Sequence, residues 1–369
     1  MKLFKRSAGA VSAAVTAPLP RAPGSEDELP AVPSEPDDIA VLAVDDTVES
    51  GDEVVPEGDA ETDTEEEGDE AEEPEEPEGP PVVEYEPSEL DSALTVRLAQ
   101  MIKSNYDRER RDLAVPNGQL LGRLLRDCPH AKVWVVGHVA KPKGWGYLAW
   151  ADRSRDGYFF AITPPGDRDA TRTLDALQEA VQAAATEAGL TALVSTVDID
   201  GVLEQFCLSH GWAEVPDSQF VIRRLELTKT AERRHRIVED TESYASNYTL
   251  ERVKAPYGDG EEEVPGLTWW KVEARVPVVG TVVGQSDVKI WDDMSEYALA
   301  GQTYVDENHL GHRLGLLMKA EMMAWVQKDR PKVRIFQSST SVSDTFMLSI
   351  HDRLGARGAG VTKDVRLSL

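Results

Sequence analysis

Tyr304-Val-Asp-Glu-Asn-His-Leu-Gly-His-Arg-Leu-Gly-Leu-Leu-Met-Lys-Ala-Glu-Met-Met-Ala-Trp325 runs from the end of a strand, through a short loop, into a long helix. Leu314, Leu317, Met318, Met322 and Trp325 recur at helical spacing, which predicts one apolar face. The loop sets Gly311 and Gly315 at the helix start, with His309, His312 and Arg313 around them. A helix N-terminus leaves about four backbone N–H groups unbonded and carries a partial positive charge. Glycine there lets an anion approach the backbone closely. The stretch therefore reads as an anion cradle built on the backbone of Leu310, Gly311, His312, Arg313, Leu314 and Gly315. The guanidinium of Arg313 is available to a phosphate.

Charge is distributed unevenly around this stretch. The 369-residue chain has a formal net charge of −28, with 67 Asp+Glu against 39 Lys+Arg. Residues 1–90 hold 28 of the acids and 4 of the bases, which leaves 39 acids and 35 bases for the rest. The acidity thus belongs to a tail over residues 1–88, rich in Glu, Asp, Pro and Gly, with too little apolar surface to offset ordering. It is expected to be disordered, either a spacer or an arm for a basic partner. Its first residues, Met1-Lys-Leu-Phe-Lys-Arg6, read as a basic tip rather than a secretory leader. The near-neutral remainder argues against a nucleic-acid backbone as partner. Cys128 and Cys207 suit neither a disulfide framework nor zinc spacing, and fit a reducing, cytoplasmic compartment as buried small hydrophobes. No apolar run approaches the ~18–20 residues of a membrane span, so no membrane partner is expected.

Length predicts two folded domains after the tail, 89–228 and 229–369. The first reads as helices over 88–112 and 118–126, strands over 132–139, 145–151 and 157–163, a helix over 170–189, a strand over 191–197, a helix over 198–210 and a closing strand over 220–227. The second reads as a helix over 230–246, four strands, the helix after Gly311, a strand over 333–338, a helix over 342–354 and a closing strand over 360–369. The fold class is α/β, of the α+β type with a mixed sheet, and one plan is used twice. In the first copy Asp167 and Asp169 occupy the turn equivalent to the Gly311 loop, where carboxylates repel an anion. The first copy is therefore read as degenerate.

The order of elements and the loop-plus-helix motif resemble the GNAT superfamily of acyl-CoA-dependent N-acyltransferases, whose cradle reads Gln/Arg-x-x-Gly-x-Gly/Ala. Leu310 stands at the Gln/Arg position, Arg313 at the middle Gly and Gly315 at the last small position. His309-Leu-Gly-His-Arg-Leu-Gly315 matches six of seven residues of a variant, His-Arg-Gly-His-Arg-Leu-Gly, found in actinobacterial members, and Lys319-Ala320 continues the match. The tandem arrangement is similar to mycothiol synthase relatives, in which the second copy usually keeps the cofactor chemistry.

The resemblance implies a transferase that moves an acetyl group from acetyl-CoA to an amine-bearing acceptor lying between the halves. It implies that the strand carrying Tyr304 and Val305 splays from its neighbour and pairs with the pantetheine arm. It places Asp344 near the start of the family's second helix and His351 at the position of the acid for the leaving thiolate. It offers Asp292, Asp293 and Glu296 as candidates for the base. A catalytically impaired relative that binds CoA or a protein partner through its tail is the alternative, motivated by Leu310 and by the missing tyrosine. The cluster of Asp306, His309 and His312 has the residue types of a metal site but no His-Glu-x-x-His pattern, and no metal is expected.

Overall fold

In the computed structural model, residues 80–109, 111–254 and 264–369 are described. The expectations for the acidic tail up to residue 79, and for the loop over 255–263, lie outside the described residues. The chain enters its sheet earlier than the acidic composition suggested. β1 (Val82–Tyr85) is the short β-rich run inside the expected tail, and it pairs antiparallel with β2 (His130–His138). Two helices intervene, α1 (Ser92–Arg108) and α2 (Gly118–Arg126), each capped by a side chain one residue before it. Asp91 accepts from the Leu94 N–H and Asn117 from the Leu120 N–H, so α1 starts four residues later than Ser88 suggested.

The first half continues with β3 (Lys141–Trp150), β4 (Asp156–Ile162), α3 (Ala170–Glu187), β5 (Ala192–Asp198), α4 (Val202–Ser209), the short β6 (Ala213–Glu214) and β7 (Phe220–Glu226). The second half holds α5 (Ala231–Glu242), β8 (Thr249–Lys254), β9 (Leu267–Arg275), β10 (Val282–Trp291), β11 (Tyr297–Val305), α6 (Leu314–Asp329), β12 (Ile335–Ser341), α7 (Thr345–Leu354) and β13 (Arg357–Ser368).

The thirteen strands among the described residues join one mixed sheet in the order β1-β2-β3-β4-β5-β13-β7-β12-β11-β10-β9-β8, with β6 against β13. The two closing strands are exchanged. β13, from the end of the chain, pairs with β5 of the first half, and β7 pairs with β12 of the second. β7 and β13 also pair with each other, so the sheet passes continuously through both halves. The sequence predicts both closing strands but not the exchange, because each strand has the same apolar pattern wherever it docks.

Alternation along the strands gives the sheet two covered faces. Trp145, Tyr147 and Ala149 of β3 point into a core with α1 and α2, while Leu148 points the other way, toward α3. The α1–α2 core extends over the second half to Trp291 and Met294. There Arg123 of α2 donates to the Pro265 carbonyl (2.7 Å) and pairs with Asp293 (3.1 Å). The opposite face of the second half packs against α5, α6 and α7. The expected single apolar face of α6 is a correction in kind. Every residue from Leu314 to Ala320 is buried, since sheet, α5 and α7 enclose the helix from several sides. No helix among the described residues is long and apolar enough to cross a membrane.

Candidate functional site

β11 and β12 run parallel for only three register pairs, Tyr297 with Ile335, Ala298 with Phe336 and Leu299 with Gln337. Beyond them the strands part. Residues 300–305 pair only with β10, and 338–341 only with β7. The parting coincides with a bulge, where Gly301 and Gln302 of β11 face Asp287 alone on β10. The Asp287 carboxylate lies against Gly301 so closely that no Cβ would fit, and it accepts from Trp269 Nε1 at 2.8 Å. One edge of β11 is thereby left without a strand partner, over the segment expected from the Tyr304–Val305 pattern.

The chain then turns through residues 306–313 into α6. Gly311 has φ +83°, a conformation that glycine adopts without strain, and Arg313 at the N-cap has φ +55°. No side chain caps the helix. The first backbone bond into α6 is from the Leu317 N–H to the Arg313 carbonyl, 3.0 Å, so the N–H groups of Leu314, Gly315 and Leu316 are left over at the mouth of the splay. Gly315 is small for a second reason: a Cβ there would lie 3.2 Å from Ile350 Cδ1 of α7 and 3.8 Å from Thr303 Cγ2 of β11.

The polar side chains of the loop turn away from this mouth. Arg313 stacks on the Tyr244 ring, 3.9 Å from its centroid, and the His312 Nδ1 donates to the Tyr244 carbonyl at 3.2 Å. His309 Nδ1 and the Tyr248 hydroxyl share a 2.9 Å hydrogen bond. These contacts brace the loop against the segment after α5. What the loop leaves open toward the splay is therefore backbone, and Arg313 is engaged with Tyr244. Tyr304, Leu310 and Phe346 are large apolar groups left more than half exposed at this end of β11, on the loop and on α7.

Asp344 lies at the other side of the splay, as N-cap of α7, with its carboxylate accepting from the Met347 N–H at 2.9 Å. The remaining expected residues are not brought together. Asp292 and Glu296 flank the opposite end of β11, where they pair with Arg330 (3.4 Å) and Arg334 (2.8 Å). A strand advances about 3.3 Å per residue, so the length of β11 puts roughly 26 Å between them and the α6 loop. His351 does lie beneath the splay, but only 2% exposed, with Nε2 3.3 Å from Ser338 Oγ and Nδ1 3.5 Å from Thr340 Oγ1. Burial, with the positive charges of Lys319 and Arg223 behind it, pushes its pKa down to about 3. A neutral imidazole keeps one tightly held ring N–H and is a weak proton donor, so this environment does not favour the acid role expected of it.

One residue of this site escaped the sequence reading except as part of a matched turn. Lys319 follows Gly315 by four residues, on the same face of α6, and is 2% exposed. Burial lowers its pKa to about 8, against the pull of Asp287 and Asp344. The available signal was a lone lysine inside the apolar run from Leu314 to Met323. Around it the floor of the splay is polar, with Ser286 Oγ and Thr303 Oγ1 2.8 Å apart and both Ser338 and Thr340 buried.

In the first half the corresponding opening is filled. β4 and β5 also part after three parallel pairs. Here the Asn105 amide of α1 donates to the Thr163 carbonyl at 2.9 Å, and the Arg108 guanidinium packs onto Gly166. Among the described residues no group of three or more His, Cys, Asp or Glu is placed to hold a metal ion.

No family model matches the sequence, and no curated protein matches it. Solved structures do resemble the fold. A tandem GNAT protein from the clavulanic acid biosynthesis pathway, solved without acetyl-CoA, superposes with a TM-score of 0.63 at 18% identity, over 78% of this chain and 98% of that one. A GCN5-related N-acetyltransferase from Sphaerobacter thermophilus gives 0.51 at 11% identity, over 78% and 95%. The glucosamine N-acetyltransferase region of a fungal multi-domain β-N-acetylglucosaminidase gives 0.52 at 14% identity, over 78% of this chain and 38% of that one. The fold is thus the GNAT fold, used in tandem.

Proposed function

We propose that the chain is an acyl-CoA-dependent N-acyltransferase that moves an acetyl group from acetyl-CoA to an amine. Donor binding falls to the second half, residues 229–369, and the first half, 89–228, supports it. The observation that carries this reading is the parting of β11 from β12 directly below an uncapped helix N-terminus. The free N–H groups of Leu314, Gly315 and Leu316 suit a pyrophosphate, and the α6 dipole adds to the attraction. The unpaired edge of β11 offers backbone partners to the two amides of a pantetheine arm. Tyr304, Leu310 and Phe346 would lose exposed apolar surface against the bound donor.

Equilibrium binding of acetyl-CoA to the full chain, followed by thiol release across a panel of primary amines, tests the reading. Saturable binding with amine-dependent thiol release supports it, and absence of binding at submillimolar acetyl-CoA refutes it. Binding without release across the panel would select a second reading, a CoA-binding relative without transferase activity. That reading is favoured by the ion pairs that hold Asp292 and Glu296 and by the buried, neutral His351.

A further inference from the structure

A lysine ammonium buried to 2% exposure normally has a carboxylate or several carbonyls around it. Lys319 has the carboxylates of Asp287 and Asp344 near enough to act on its charge, but no hydrogen bond or ion pair holds its Nζ among the described residues. The other buried cations among the described residues are held by hydrogen bonds or ion pairs, although Arg234 Nε has no partner. Arg234 donates to the Leu227 carbonyl at 2.7 Å and to Gln327 at 2.6 Å, and Lys363 pairs with Glu204 at 2.5 Å. A buried ammonium without a hydrogen-bond partner is costly, so such a place suits a ligand that supplies one.

The surroundings say where that partner would lie. Gly315, one turn earlier on the same face of α6, looks across at Thr303 of β11 and at Ile350 and Phe346 of α7. Lys319 is thus carried one turn deeper into the splay than the free N–H groups. The charged groups that reach it are Asp287 on the β10 bulge, Asp344 at the head of α7 and His351 on α7, and none of them touches its Nζ. An acyl-CoA whose pyrophosphate rests on the α6 N-terminus would run its pantetheine down the free edge of β11, with its thioester toward the bulge.

We infer that Lys319 is the catalytic acid of the transfer reaction, with its ammonium against the thioester sulfur. This rests on the acyl-CoA reading above and adds a residue to it. The acceptor amine nitrogen bonds to the acyl carbon, and the C–S bond breaks with its electron pair left on sulfur. A proton passes from Lys319 Nζ to that sulfur, giving the free thiol. The new amide nitrogen sheds its surplus proton to solvent, and Lys319 regains one from solvent after the thiol leaves. Its pKa of about 8 is close to that of an alkyl thiol, ~8.5 for cysteine, so the transfer is nearly balanced. His351, neutral in its buried place, carries only the tightly held N–H of an imidazole and is the poorer donor.

The assignment can be tested without knowing the acceptor. An ammonium in contact with the sulfur stabilises the thiolate, so the thiol of CoA bound to the full chain should ionise roughly one to three pH units lower than that of free CoA. Thiolate ultraviolet absorbance reads this, after subtraction of the ligand-free protein. The chain's own thiols do not interfere, since burial pushes Cys128 and Cys207 up to about 12. In Lys319→Met and Lys319→Gln the bound thiol should titrate at or above the value for free CoA. Circular dichroism confirms which variants fold, and either folded variant decides. Bound CoA with the same titration in wild type and variant would overturn the assignment of Lys319 alone. Absence of CoA binding in the wild type would overturn the acyl-CoA reading together with it.

Discussion

Replacing Lys319 with methionine should stabilise the folded chain. The lysine sits 2% exposed on a helix buried on most sides, and its pKa falls from 10.5 to about 8, chiefly through burial. At about 1.4 kcal/mol per pH unit, that fall corresponds to a folding penalty of about 3 kcal/mol. Methionine fills a similar volume with an unbranched stem and has no charge to bury, so most of that penalty should be recovered. The sign with pH follows from proton binding. Between about pH 8 and 10.5 the unfolded chain holds a proton that the folded chain has released, so wild-type stability rises with pH over this window. The advantage of Lys319→Met should therefore be full at neutral pH and shrink toward about pH 10. Urea unfolding of both proteins at several pH values measures it. A variant no more stable than wild type at neutral pH, or an advantage that does not change with pH, would refute an unpaired buried ammonium at this position.

Other substitutions probe the loop and the floor of the splay. Gly311→Ala forces a Cβ into φ +83° and should cost about 1–2 kcal/mol in urea unfolding, with weaker acetyl-CoA binding. Arg313→Gly relieves φ +55° while losing the Tyr244 stack, worth about 0.5–1 kcal/mol, so it should be nearly neutral for stability and leave acetyl-CoA affinity within a few-fold. Gly315→Leu places side-chain atoms against Ile350 and Thr303, which should cost about 1–3 kcal/mol and block the splay to acetyl-CoA, as calorimetry would show. His351 takes no proton in the folded chain until about pH 3, whereas the unfolded chain takes one near 6.5. Stability should therefore be lost progressively as pH falls from 6.5 toward 3, by on the order of 4 kcal/mol, and His351→Gln should lose less over the same range of urea titrations.

The helices and strands were largely legible because their apolar residues repeat at 3.6 or at 2 along the chain. The parting of β11 was legible only through the family resemblance, since Gly301 and Gln302 carry no periodic signal of a bulge. The exchange of β7 and β13 was not legible at all, because strand pattern specifies a buried face and leaves the neighbour open. Side-chain roles were hardest to read. His351 and Lys319 both look like ordinary helix residues in sequence, and burial from three elements determines their charge states. Arg313 was read as a phosphate ligand from its place in the motif. Its direction depends on Tyr244, sixty-nine residues earlier in the chain.

Calorimetric titration of acetyl-CoA into the full chain, compared with Gly315→Leu, tests the central claim most directly. One saturable site per chain is expected in the wild type, since Asn105 and Arg108 fill the first opening, and no site is expected in the variant. Absence of binding to the wild type, two sites per chain, or unchanged binding in a folded Gly315→Leu would contradict the placement of an acyl-CoA between β11 and β12.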